Sequence, residues 1–127
     1  MYNETTKEWF KDYKIKKEIR RKENKTKMEK LFLEMEDYNG MACEINADYS
    51  KKHLNESKYY EKRLENFKKH NNLYSDCKKI YDKIKFKIDL NESISNFETM
   101  FIKEYKELEG NVVADLIISI TTKIGGK

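Results

Sequence analysis

Nine lysine or arginine side chains fall between Lys14 and Lys30, in the run KIKKEIRRKENKTKMEK, against three glutamates. The chemistry open to such a run is phosphate binding, because Lys and Arg neutralise backbone charge and release counterions without reading base sequence. Six of these residues, Lys16, Lys17, Arg20, Arg21, Lys25 and Lys27, lie in or just before a polar gap from Arg20 to Lys27. Four of them can share one helix face, so the six are the candidate nucleic-acid-binding set. The alternative is an ordinary solvated face in which Glu18, Glu23 and Glu29 pair with them at helical spacing.

Catalytic chemistry has little to work with. His53 and His70 are the two histidines, so neither a Ser-His-Asp nor a Cys-His arrangement is expected. Cys43 and Cys77 form no CxxC pair and have no histidine cluster nearby, which gives no zinc or redox motif. The acidic residues are many, yet on this reading none stands on an otherwise apolar seam where its pKa would be perturbed. The expectation is a non-enzyme with no catalytic residue, no metal, no cofactor and no small-molecule substrate.

The elements that position these residues are read from composition and period. Charged residues make up 39% of the 127 and hydrophobic ones 38%, a balance that suits slender helices burying one stripe each. Proline is absent and glycine occurs four times, at Gly40, Gly110, Gly125 and Gly126, so few breaks are enforced. The predicted fold is all-α: long amphipathic helices in an antiparallel bundle or coiled-coil hairpin, in one domain over 1–127, with a short C-terminal helix. No apolar window approaches the length needed to span a bilayer and the N-terminus lacks a signal-peptide pattern, so a cytoplasmic protein with no membrane partner is expected. The N-x-S/T triplets at Asn3, Asn24, Asn55 and Asn91 are then idle.

A first helix is predicted over 5–38, opened by a Thr5/Glu8 capping box and stopped by Asn39-Gly40. Trp9, Tyr13 and Ile19 give it one apolar stretch, and Met28, Leu31, Met35 and Tyr38 another. The polar gap between them is either a solvated span of one helix or a break between two. Residues 41–56 read as a loop, or else as an early start of the next helix. A helix over 57–90, capped by Ser57, keeps the spacing of Tyr60, Leu64, Phe67, Tyr74, Cys77, Tyr81, Ile84 and Ile88, interrupted where Asn71 occupies the seam. After a turn and an N-cap at Ser93, a helix over 93–109 carries Ile94, Phe97, Phe101, Tyr105 and Leu108, and Gly110-Asn111 ends it. The apolar tail is predicted as a short helix over 112–124. Leu64, Phe67, Tyr81, Ile84, Ile88, Phe97 and Phe101 are the predicted helix-packing core.

The order Glu8-Trp9, Tyr13-Lys14, Lys17-Glu18-Ile19, a polar helix, an irregular middle, Arg63-Leu64-Glu65, then Ile80, Ile84, Ile88 and Glu98 through Tyr105 resembles a known layout. It is that of the RinA/ArpU-like, sigma-factor-resembling transcriptional activators of phages from low-GC Gram-positive bacteria. The resemblance covers roughly residues 8 to 105 and implies a C-terminal helix-turn-helix. Glu98, Phe101, Ile102 and Tyr105 would stand in its first helix, Val113-Ala114-Asp115-Leu116 in its second, and Ser119 to Ile124 would open the recognition helix. Gly125-Gly126 closes that last helix after about one and a half turns, and no arginine follows Arg63, so the implied unit is truncated.

Two functions follow as expectations. One is a phage-type regulator that approaches nucleic acid or the transcription machinery through its basic helix. The other is a helical protein-interaction module, such as a phage-encoded inhibitor of a host defence system, acting on a protein partner in the host cytoplasm or as a homodimer.

Overall fold

Two reciprocal capping boxes decide where the longest helices begin. Thr26 and Glu29 form one: the Glu29 N–H donates to Thr26 Oγ1 at 3.1 Å and the Thr26 N–H donates to Glu29 Oε1 at 2.9 Å. Ser95 and Glu98 form the other, at 3.0 and 2.9 Å. Each satisfies orphan N–H donors that a helix start leaves open. The computed structural model describes residues 4–52 and 56–125, with side chains over 6–50 and 58–120. Five helices and no strand occur among these: α1 (Glu4–Arg21), α2 (Lys27–Lys52), α3 (Glu56–Lys69), α4 (Leu73–Asp89) and α5 (Asn96–Gly125).

The all-α bundle expected from the sequence is the fold, but its helix ends differ from those predicted. The polar gap is a true break, residues 22–26, because Thr26 nucleates a new helix there. Asn39-Gly40 does not stop α2, which runs on through most of the predicted 41–56 loop; residues 53–55 lie outside those described. Gly110-Asn111 likewise fails to divide α5, so the separate 112–124 helix is the continuation of the helix before it. Neither glycine has positive φ, and buried side chains on both flanks, Tyr38 and Ala42 on α2, Leu108 and Val112 on α5, carry the seam across it. That burial outweighs the modest helix cost of one glycine.

The predicted 57–90 helix is two helices. His70 to Asn72 make a turn in which Asn72 takes φ 76°, a left-handed conformation that asparagine tolerates, and the exposed Asn71 stands in that turn and not on a seam. At the other end of α4 Asn91 is left-handed at φ 59°, its N–H donating to Ile88 O while the Glu92 N–H donates to Lys87 O. This is the Schellman pattern. Ser93 is not the cap of α5: three residues on stands Asn96, whereas Ser95 is followed at that distance by Glu98.

Helices α2 and α5 run parallel, Phe32 meeting Phe97 and Asn39 meeting Glu104, while α3 and α4 return antiparallel to both. Their shared core joins Phe32, Met35 and Tyr38 to Cys77 and Ile84 and to Phe101, Tyr105 and Leu108. Tyr105 is stacked between Tyr74 and Tyr81, one heptad apart on α4, at centroid distances of 5.8 and 4.3 Å. Helix α1 is attached more lightly, through buried Ile19, while Trp9 and Tyr13 stack on each other in solvent. Of the predicted core, Ile84 and Phe101 are buried, and Phe67, Tyr81 and Phe97 are half-buried against the cluster. Leu64 is half-buried too, but Ile88 is exposed at 38% because α2 starts only at Lys27 and offers nothing beyond Met28 to cover it.

Gly40 and Gly110 are helical, and a Cβ built on either meets nothing within 4 Å. Gly40→Ala and Gly110→Ala are each expected to stabilise the protein by about 0.5–1 kcal/mol, measured by urea denaturation. A loss of stability at either position would show that its helix bends there.

Candidate functional site

The centre of the bundle holds a polar network. Arg63 of α3 is 2% exposed and Asp115 of α5 0%, and Arg63 Nε donates to Asp115 Oδ1 at 2.6 Å. The Tyr38 hydroxyl of α2 donates to the other carboxylate oxygen. The guanidinium also donates to Asn46 Oδ1 at 3.2 Å and to the Asn111 carbonyl at 3.3 Å. Around this centre Asn66 Nδ2 donates to Tyr38 O, Asn111 Nδ2 to Asn39 Oδ1, and Asn39 Nδ2 to the Glu104 carboxylate at 2.8 Å. Among the described residues no buried side-chain polar atom lacks a partner. Burial and the Asp115 carboxylate hold the Tyr38 hydroxyl well above its usual pKa, so it stays a donor. Burial likewise raises the Glu104 carboxyl, with Asn39 opposing it.

This network fixes the orientation of α5. Between Glu109 and Lys123 the one charged residue is Asp115, and the rest of that stretch is largely apolar. A helix apolar on all sides has no preferred face to bury. Asp115 supplies the preference, since it must meet Arg63 and Tyr38, and Leu108 and Val112 are buried on the same side. Val113, Leu116, Ile117 and Ile120, at i, i+3, i+4 and i+7, are thereby turned to solvent, Ile117 and Ile120 at 59% and 58% exposure. Leu116 borders a depression of about 230 Å³ walled by Tyr38, Phe67, Leu73, Tyr74 and Leu108. A contiguous apolar stripe beside an apolar hollow is the surface feature that marks interaction sites on soluble helical proteins.

The helix break divides the predicted basic set: Lys16, Lys17, Arg20 and Arg21 lie on α1, Lys25 in the break and Lys27 at the start of α2. Lys16 and Arg20 converge on Glu36 of α2 at 3.0 and 2.6 Å, and so tie α1 to the bundle. Lys25 Nζ folds back onto the Lys22 carbonyl at 2.7 Å, in the break, and Lys17 lies over the Tyr13 ring. Arg21 and Lys27 are exposed, on different sides of that break. Of the three glutamates expected to pair with the set, Glu29 instead takes Lys22, which with the Thr26 cap holds its carboxyl below the usual range. The helix-turn-helix that the family resemblance implies is also not seen, since Glu98 through Ile124 lie on the one unbroken helix α5.

Cys77 is buried, which pushes its thiol up to about 12, and Cys43 is exposed. His70 packs its ring on Tyr38, and its Nδ1 lies 2.9 Å from the Asn66 carbonyl; His53 lies outside the described residues. Among the described residues no helix is long and apolar enough to cross a membrane. Compared with known protein families, characterised proteins and solved structures, the chain matches none.

Sequence reasoning missed the pairing of Arg63 with Asp115 and the four asparagines around them, Asn39, Asn46, Asn66 and Asn111. Asp115 continues the Leu108–Val112 seam by helical spacing, a placement the sequence reading did not single out. Its isolation in the tail was the available signal.

Removing one partner strands the other charge in the core. Asp115→Leu is expected to cost about 3–5 kcal/mol in urea denaturation, while the combined Tyr38→Phe, Arg63→Met and Asp115→Leu variant recovers most of that loss. A single variant within about 0.5 kcal/mol of the parent would show that the pair is open to water.

Proposed function

We propose that this protein is a non-catalytic helical interaction module that self-associates through the outward stripe of α5. The observation that carries the reading is the stripe of Val113, Leu116, Ile117 and Ile120 beside the hollow at Leu116. A second copy placed across a two-fold axis sets the same uncharged stripe against itself, so no charge is desolvated, and each hollow receives a side chain of the other copy. Association through such a seam is regulatory by contact and needs no bound cofactor. The resemblance of the sequence layout to RinA/ArpU-like phage proteins favours a regulatory setting. An inhibitor of a host system is the form that dispenses with a helix-turn-helix. The nucleic-acid reading has less support, because Lys16, Arg20 and Lys25 are engaged within the fold.

Light scattering at micromolar concentration should give twice the chain mass. Ile117→Glu/Ile120→Glu should weaken that association by about two orders of magnitude or more, with far-UV circular dichroism unchanged, because two carboxylates would have to be desolvated. A parent that remains monomeric, or a double variant that remains dimeric, would overturn the proposal.

A further inference from the structure

A second surface, on the other end of the bundle, has a different character. Between the start of α2 and the length of α4 runs a groove of about 510 Å³. Its floor is apolar: Met28, Ile80 and Ile84, the first two half-buried on the core and still partly open. Its rim is cationic, with Lys79 and Lys83 one helical turn apart on α4 and Lys27 on α2. All three lysines are exposed, and among the described residues none of them forms an ion pair. Asp76 stands at one end of the α4 side, and the Lys87–Glu98 pair, 2.9 Å apart, closes the other. Four lysines, Lys27, Lys79, Lys83 and Lys87, against the two carboxylates of Asp76 and Glu98 leave the groove net positive.

We infer that this groove docks an acidic amphipathic helix of a partner protein. An amphipathic helix lays its apolar stripe on a groove floor, and carboxylates flanking that stripe meet a cationic rim. From Lys79 to Lys87 the α4 wall is about 12 Å long, which matches two to three turns of a docked helix. A nucleic acid satisfies the lysines but has no apolar face for Met28 and Ile80, so the floor favours the peptide. The groove is separate from the α5 stripe, and either surface can fail without the other.

The probe is a labelled synthetic helix of about four turns with leucines on one face and glutamates flanking them, titrated with the full chain by fluorescence anisotropy. The peptide is expected to bind. Replacing its glutamates by glutamine, or its leucines by serine, should each weaken binding by about tenfold or more. Lys79→Glu/Lys83→Glu in the protein should do the same, with helix content and solution mass unchanged. Absence of binding by the parent peptide would overturn the inference. So would equal binding by the serine peptide or by a DNA duplex, or full affinity in the lysine variant.

Discussion

The Arg63–Asp115 ion pair is the contact on which the arrangement of the other helices depends, because it joins α3 to α5 while Tyr38 brings in α2. Burying two charges is costly, and a pair of this kind adds little net stability over an apolar core of the same volume. What it adds here is selection among alternatives. A thin bundle of amphipathic stripes tolerates several rotations of each helix at similar apolar burial. Only one rotation satisfies the carboxylate, the guanidinium, the Tyr38 hydroxyl and the surrounding asparagines together.

The consequence reaches the surface. The last turns of α5 have apolar residues on both sides, and Asp115 determines which of them are core and which are exposed. The stripe proposed to self-associate is thus held in place from inside. At the other end of the molecule the basic residues divide into two populations by the same logic of partners. Those facing Glu36 hold α1 on the bundle, while Lys27, Lys79 and Lys83 on the α2–α4 rim form no ion pair among the described residues. Lys17 and Arg21 stay exposed on α1, and the fold adds a second cluster of exposed lysines on the α2–α4 rim.

The helical class was legible because apolar residues at three- and four-residue spacing dominate the chain, and the break at the polar gap was one of two readings it allowed. The helix ends were less legible, for physical reasons. Asn39-Gly40 and Gly110-Asn111 are stop signals only where glycine is left-handed, and in both places burial beyond the glycine keeps the helix going. The left-handed residues are instead Asn72 and Asn91, which carry a side chain and do not stand out in an asparagine-rich chain. Asp115 and Arg63 were hidden because the partner of each lies on another helix, and sequence spacing carries no information on pairs 52 residues apart.

If the ion pair sets the rotation of α5, removing it without loss of packing must blur which face is buried. The direct measurement is thiol reactivity of single cysteines at Val112→Cys and Ile117→Cys in a Cys43→Ser/Cys77→Ala background, with and without the apolar replacement of Tyr38, Arg63 and Asp115. With the network intact and the chain diluted to its monomer, the cysteine at 117 should react faster than that at 112 by about two orders of magnitude, the contrast expected between an open and a core position. With the network replaced and helix content retained, the two rates should converge. Persistence of the full contrast would contradict the account, because packing alone would then orient α5.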